Sequence, residues 1–477
     1  MRIVIAGGGT AGHVYPGIVL ARLLSKHGSE ATFIGRPDGV EARLVTAAGF
    51  DFVPIQVAGR DRGLSFRNLV VAAKLLSAIW RCLTILARSE PDVVVGTGGY
   101  VSLPVILAAR IHRIPVIIHE QNAVPGLANR IGARFAAAVA VSFPTTQRRL
   151  RERVFVTGNP VRPEIAHLDL AVARDAGLQE FDLEAGRRTL LVAGGSQGAL
   201  AVNEAAFGCY RRWRSDERLQ VLHLVGPGNL EASERFLAGL KSPEDRIEWR
   251  LVAYTERMDL ALAVADLAVS RAGATTLAEM CAAGLPAVLV PYPYSLDDDQ
   301  LHNARALADA GGAEVIVQAG LSPEELAARV EALIYDDDRL ARMGEAMKTW
   351  ARPEAAERLL ELVFSVAQAD TRRSSRVAES SPPVEAREKP GGQTVSLPGW
   401  EASWIRCHLV GAGGAGMSAI GHVLLQAGLT VTGSDRSEST TLSSLADAGA
   451  EISVGHAEGR ATKADVVVAS SAIPSDN

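Results

Sequence analysis

Three times along 477 residues a short apolar run breaks into a glycine cluster and then into a helical pattern. The first is Ile3-Val4-Ile5-Ala6, followed by Gly7-Gly8-Gly9-Thr10-Ala11-Gly12-His13. The second is Thr189–Ala193, followed by Gly194-Gly195-Ser196-Gln197-Gly198. The third is Cys407–Val410, followed by Gly411, Gly413, Gly414 and Gly416. A strand that turns through glycines into a helix gathers unpaired N–H groups at the positive end of the helix dipole, which suits an anion. The same unit opens a doubly wound α/β sheet, so the chain is constrained to repeated parallel α/β modules.

The rest of the pattern agrees. Strands are predicted at Arg2–Ala6, Ala31–Ile34, Val93–Val95, Val116–His119, Val139–Val141 and Val154–Thr157. After a restart they recur at Thr189–Ala193, Val221–Val225, Glu248–Val252, Leu267–Val269, Ala287–Val290 and Glu314–Val317. Near-continuous β-branched runs separated by helices mean parallel sheets covered on both faces. We expect two facing Rossmann-like domains, residues 1–160 and 161–351, with a hinge at Gly158-Asn159-Pro160-Val161-Arg162-Pro163. Residues 369–402, rich in Ser, Pro, Arg and Glu, read as a flexible linker. Residues 403–477 carry three predicted strands, at 407–410, 430–432 and 465–469, and read as a module cut short.

Composition excludes several classes. The chain is 48% hydrophobic and 22% charged, as in an ordinary globular protein. The net charge of −5 gives no global footprint for nucleic acid. Cys82, Cys209, Cys281 and Cys407 lack metal or redox spacing and read as buried thiols. No run of about 18 apolar residues is present, so no membrane span is expected. No signal peptide is read at the start, and the chain is expected in the cytoplasm.

Chemistry concentrates where predicted strands end. The loop at Gly7–Gly12 has the dinucleotide spacing, but the end of the next strand holds Gly35 and Arg36 instead of a ribose-binding acid. The third module does place an acid there, Asp435. Ser196 and Gln197 lie between glycines in a turn suited to a diphosphate, or in a tight turn with no ligand. Glu279 follows Gly273-Ala274-Thr275-Thr276-Leu277, where a carboxylate could accept a ribose diol or merely stabilise a helix start. Asp297-Asp298-Asp299 read as a solvated helix start in preference to a metal cluster, with Gln300 pointing at the cleft. His119-Glu120-Gln121-Asn122 ends a strand, and its His119 and Glu120 suit either a ligand or a buried polar network.

In order, GGGTAGHVYPG (7–17), GTGGYVSLP (96–104), HEQN (119–122), GNPVR (158–162), GGSQGA (194–199), RAGATTLAE (271–279) and DQLHNA (299–304) closely resemble the MurG family. These are GT-B glycosyltransferases that add N-acetylglucosamine to lipid I, giving lipid II for peptidoglycan. The resemblance covers residues 1–365 or so. It implies a GT-B fold with a last helix, over about 352–368, packed back on the first domain. It implies UDP-N-acetylglucosamine as donor, no cofactor and no metal, and lipid I as acceptor. Cell-wall synthesis proteins are potential partners, and the site lies at the cytoplasmic face of the membrane.

For the site, the resemblance implies that Ser196, Gln197 and Gly198 hold the diphosphate and that Thr255 meets the uracil through its backbone. Ala274, Thr275, Thr276 and Leu277 line the donor, Glu279 bonds the ribose and Gln300 the sugar. Thr10, Ala11, Gly12, Asn122 and Arg162 complete the cleft, and His13 stands where the family's general base stands. Imidazole suits that task near neutral pH.

Two positions depart from the family. Ala11 replaces a glycine, which is tolerable if the backbone there is right-handed. Asp299 replaces Gln or His. Residues 62–89 contain no acid and interleave Arg62, Arg67, Lys74, Arg81 and Arg88 with Leu64, Phe66, Leu69, Leu75, Leu76, Ile79, Trp80 and Leu83. That reads as an interfacial membrane helix, a helix packed on its own sheet, or both on different faces.

The third module, about 405–477, resembles the N-terminal domain of the UDP-N-acetylmuramate–L-alanine ligases (MurC). Its loop of Gly411, Gly413, Gly414 and Gly416, with Asp435, would grip a uridine nucleotide. No ATP-binding Gly-x-x-Gly-Lys-Thr/Ser motif occurs, so no ligase activity is expected of it. The rival readings are a GT-B enzyme with another acceptor, a dehydrogenase, and a non-catalytic UDP-sugar binder.

Overall fold

A computed structural model describes residues 1–57, 67–150, 153–195, 197–379, 406–413, 415–426, 430–455 and 466–469. Residues 1–381 form one compact unit and residues 382–477 another.

The first sheet contains β1 (Arg2–Gly7), β2 (Glu30–Gly35), β3 (Asp51–Pro54), β4 (Val93–Gly98), β5 (Val116–Glu120), β6 (Ala138–Val141) and β7 (Val154–Val156). All pairs are parallel, in the order β3-β2-β1-β4-β5-β6-β7. Alternate residues build opposite layers. Ile3, Ile5, Val93, Val95 and Ile117 face one layer, with the helix Ala11–Lys26. Val4, Ala6, Val94, Ile118 and Val139 face the other, with Val105 and Ile106 of the helix Ser102–Ile111.

The second sheet contains β8 (Arg188–Ala193), β9 (Leu219–Leu224), β10 (Glu248–Val252), β11 (Leu267–Ser270), β12 (Ala287–Leu289) and β13 (Ala313–Val315). It is parallel throughout, in the order β10-β9-β8-β11-β12-β13. The strand order therefore reverses between β1 and β4 in one sheet and between β8 and β11 in the other. Each glycine loop leaves the strand at the reversal, where an α/β sheet opens a ligand crevice.

One strand of the first sheet, β3, has no counterpart among the predicted ones. It is an edge strand of four residues with Asp51 and Pro54 at its ends, so it carries no apolar run. The helix Ala355–Glu379 returns from the second sheet, and its Leu359, Leu360, Val363 and Ala367 enter the first sheet's core. It continues into the stretch read as linker, and residues 380–405 lie outside the described residues. All four cysteines are buried, and burial pushes the thiols of Cys82, Cys209 and Cys281 up to about 12.

The second unit holds β14 (Arg406–Val410), β15 (Thr430–Asp435), β16 (Glu451–Val454) and β17 (Val466–Ala469), parallel in the order β16-β15-β14-β17. Among the described residues of this unit, four strands are present where three were predicted. The extra one, β16, is again a short edge strand. Leu409, Val431, Leu442 and Leu445 centre a small core.

Candidate active site

The loops after β1 and β8 face a cavity of about 500 Å³ between the two sheets of the first unit. Its first wall is Thr10, Ala11, Gly12, His13, Gln121 and Asn122. Thr10 ends the loop in extended backbone, and Ala11 is the first residue of the helix Ala11–Lys26. A right-handed helical position needs no glycine, which accounts for the alanine there.

His13 is held by its Nδ1, 3.0 Å from the Gly8 carbonyl oxygen and 3.3 Å from the Thr10 hydroxyl. A carbonyl only accepts, so in the neutral ring Nδ1 carries the hydrogen and Nε2 keeps its lone pair. Gly98 makes room for that edge of the ring. Its φ is +104°, and a Cβ there would come within 3.3 Å of Nε2. Gly99 (φ +77°) is equally constrained, because a Cβ would overlap the Gly8 carbonyl.

Behind this wall lies a buried polar network. His119 donates from Nε2 to the Gly158 carbonyl (3.1 Å) and accepts at Nδ1 from Gln121 Nε2 (2.9 Å). Burial lowers its pKa to about 4, so the ring is neutral. Glu120 accepts from the backbone N–H groups of Asn122 (2.9 Å) and Gly126 (3.0 Å) and from Asn129 Nδ2 (2.9 Å). Burial raises its carboxyl above the ordinary range, against those hydrogen bonds. Of the two readings of His119 and Glu120, the buried network is the one found.

The second wall comes from the other sheet: Thr255, Ala274, Thr275, Thr276, Glu279, Asp299 and Gln300. The helix Ala274–Ala283 starts here, with extended Gly273 before it and left-handed Gly284 after it. Glu279 is buried, which pushes its carboxyl up, while Arg162 at 3.0 Å pulls the other way. Arg162 also donates to the Glu256 carbonyl at 3.0 Å. Gln300 accepts at Oε1 from the Tyr292 N–H (3.0 Å), leaving its Nε2 as the donor.

Two expectations are corrected. Leu277 does not line this cavity; it is buried in the second domain's core, because its helix turns that face to the sheet. Asp297 and Asp298 are exposed, as a solvated start requires, but Asp299 is turned into the cavity, where burial raises its carboxyl. Gln197 is exposed, and Gly198 borders an adjoining cavity of about 550 Å³ along the second glycine loop. Ser196 lies outside the described residues.

The walls touch through pairs of residues that no motif spacing links. Thr275 Oγ1 donates to the Gly12 carbonyl (3.3 Å), and Tyr15 and Tyr254 meet hydroxyl to hydroxyl at 3.4 Å. Asn303 accepts from the Ala123 N–H (2.8 Å) and donates to Asn122 Oδ1 (3.0 Å). Arg130 pairs with Asp297 at 3.1 Å. In the second unit, Gly413 N–H donates to Asp435 Oδ2 at 2.8 Å, so the carboxylate fastens the glycine loop. Gly411 donates to the Ser434 carbonyl, Gly416 lies in the helix Ala415–Gln426, and Gly414 lies outside the described residues.

Comparison with known proteins agrees with this geometry. Residues 3–141 match the glycosyltransferase family 28 N-terminal domain and residues 189–359 its C-terminal domain. Residues 406–477 match the Mur ligase family catalytic domain. UDP-N-acetylglucosamine–N-acetylmuramyl-(pentapeptide) pyrophosphoryl-undecaprenol N-acetylglucosamine transferase of Halothermothrix orenii is 42% identical over 376 residues, covering 77% of this chain and 100% of the relative. The enzyme of the same name from Acidothermus cellulolyticus is 42% identical over 371 residues, covering 77% and 99%. The crystal structure of Acinetobacter baumannii MurG superposes with a TM-score of 0.62 at 29% identity, covering 76% of this chain and 99% of that one. Over its first three quarters, the chain belongs to the MurG family of N-acetylglucosamine transferases.

Proposed function

We propose that the chain moves N-acetylglucosamine from UDP-N-acetylglucosamine to the C4 hydroxyl of the muramyl sugar of lipid I, giving lipid II and UDP with inversion. The single observation that carries the chemistry is His13. Its Nδ1 is held against a carbonyl, and its side chain borders the cavity shared with Glu279 and Gln300. The acceptor oxygen attacks the anomeric carbon, its proton passes to His13 Nε2, and the bond from that carbon to the diphosphate oxygen breaks. UDP leaves with the bonding electrons, toward the N–H groups and helix dipole of the Gly194–Gly198 loop.

The acceptor is a lipid, and the helix Arg67–Ser89 suits a membrane surface. Its Ala78, Cys82 and Leu86 are buried, while its Leu76, Trp80, Lys74, Arg81 and Arg88 are exposed. One face packs inward and the other offers apolar and basic groups together. Among the described residues, no helix is long and apolar enough to cross a membrane. The reading is therefore a peripheral enzyme at the cytoplasmic face, with no ligase step assigned to residues 406–477.

The test is UDP release from UDP-N-acetylglucosamine with a soluble lipid I analogue, wild type beside His13→Ala. We expect His13→Ala to lower turnover ~10²-fold or more with donor binding unchanged. Turnover that survives would remove His13 from the chemistry. A wild-type protein that binds donor and turns over nothing would point to a different acceptor or to a binding protein.

A further inference from the structure

The loop between β12 and the helix Asp299–Asp309 reads Pro291-Tyr292-Pro293-Tyr294-Ser295. Tyr292 is 44% exposed and Tyr294 70%, although rings of this size usually bury most of their surface. They are nonetheless ordered against their surroundings. The two rings meet edge to face at 5.6 Å. The Arg271 guanidinium lies 5.5 Å from the Tyr292 ring centroid. Arg271 is itself buried and fixed by the carbonyls of Val290 (3.0 Å) and Pro291 (3.2 Å) and by Gln318 Oε1 (2.7 Å). Two prolines restrict the backbone on either side of Tyr292. Arg271 and Tyr294 thus brace the ring, and nearly half of the residue's surface stays open.

Tyr292 borders both cavities, the one with His13 and the adjoining one along Gly194–Gly198. Gln300 does the same, and its Oε1 accepts the Tyr292 N–H, so the two residues are tied together. Glu279 and Thr255, assigned to the nucleoside, line only the first. Tyr292 therefore stands at the diphosphate and sugar end of the site. A pyranose presents polar hydroxyls at its rim and an apolar C–H face. The negative face of an aromatic ring attracts those polarised C–H bonds and gains their burial, as it does for other ring partners.

We infer that Tyr292 is a stacking platform for a pyranose ring in the cleft, that of the donor sugar held beside Gln300, with Tyr294 as its buttress. This rests on the transferase reading and adds a positioning residue to it. Calorimetry of UDP and of UDP-N-acetylglucosamine against wild type, Tyr292→Phe and Tyr292→Leu tests it. Tyr292→Leu should weaken UDP-N-acetylglucosamine about tenfold and UDP less than about twofold, and Tyr292→Phe should resemble wild type.

Proton NMR of the bound donor gives a second readout that a merely structural role would not move. Pyranose protons should shift upfield with wild type and Tyr292→Phe, and the shift should vanish with Tyr292→Leu. Equal weakening of UDP and UDP-N-acetylglucosamine would overturn the inference, as would no change in either. An acceptor KM that rises in Tyr292→Leu while donor binding holds would overturn the donor assignment and give the platform to the acceptor's ring. Wild-type protein that fails to bind UDP-N-acetylglucosamine would instead overturn the transferase reading.

Discussion

Each half of the cleft keeps a buried histidine near the end of a strand, and the two are held in different ways. His119, on β5, has both nitrogens bonded, to the Gly158 carbonyl and to Gln121. Its ring ties the first sheet to the hinge segment. His223, on β9, donates from Nε2 to Asn203 Oδ1 at 3.0 Å, while its buried Nδ1 has no hydrogen-bond partner among the described residues. Its ring packs among Phe207 (4.9 Å) and Trp249 (6.0 Å) as an aromatic would. The first half spends buried polar groups on shaping the wall behind His13. The second half sets its polar side chains, Glu279 and Gln300 among them, along the wall itself and backs them with glycine loops and an apolar core. The same sheet topology therefore supports a wall built for side-chain chemistry and a wall built for cradling.

Replacing the two histidines is the strongest way to break that comparison. His119→Phe removes one hydrogen bond from the Gly158 carbonyl, which keeps the Thr157 hydroxyl, and one from Gln121, which keeps the Thr97 carbonyl, a cost of about 1–2 kcal/mol at pH 8. His223→Phe fills the same space among rings but leaves the buried Asn203 Oδ1 without the donor that His223 supplies, and should cost about 2–3 kcal/mol. Acid adds a test against wild type. Burial lowers His119 to about 4 and His223 to about 3, from the ordinary 6.5. As pH falls below the ordinary value, the unfolded chain takes up protons that the folded chain refuses, so stability falls. For His119 the full loss is roughly 3 kcal/mol, reached as pH drops through its folded value. Each replacement removes one such proton, so both variants should lose less stability than wild type between pH 8 and pH 5. Urea unfolding at pH 8 and pH 5 checks both, and equal costs for the two replacements would erase the distinction.

A smaller effect is expected where the halves meet through charge. Glu279 of the second half and Arg162 of the hinge segment pair at 3.0 Å, with only 11% and 22% of their side chains exposed. Burial raises the Glu279 carboxyl and Arg162 opposes it, and taking the pair out of water costs desolvation. Glu279→Gln keeps the shape, removes the charge and leaves Arg162 uncompensated. We expect donor Kd to rise about tenfold, with turnover at saturating donor changed far less. Calorimetry with UDP-N-acetylglucosamine separates this from a loss of chemistry. A fall in saturated turnover with unchanged Kd would move Glu279 from binding to catalysis.

The comparison also separates what was legible in the sequence from what was not. Glycine loops, buried strands and the residues next to them could be read, because each leaves a local pattern. The strands that escaped, β3 and β16, are both edges of their sheets. An edge strand needs burial on fewer sides, so four residues with charged or turn-forming ends suffice and no apolar run marks them. Leu277 escaped for a different reason. It lies within a motif whose other members line the cavity, and only the helix phase turns it inward. The contacts that close the cleft were invisible, since Arg162 with Glu279, Tyr15 with Tyr254 and Asn122 with Asn303 are each more than 100 residues apart. No period or spacing links such pairs; only the packing of two sheets does.

The mildest expected effect concerns a surface that the second half lacks a reading for. On the helix Arg67–Ser89, Leu76 and Trp80 are four residues apart, and they are 58% and 73% exposed. Neighbours at that spacing share a face, and exposed Lys74, Arg81 and Arg88 supply its charge. Leu76→Ser with Trp80→Ser removes apolar surface that is already exposed, so folding and transfer to a water-soluble acceptor should be unchanged. Binding to vesicles with anionic lipid should fall several-fold, and the remainder should be lost as salt rises, because only the basic groups then hold the surface. Vesicle co-sedimentation at low and high salt measures it. Unchanged binding by the double variant would place the membrane contact elsewhere on the first half and leave this helix face without a role in the comparison.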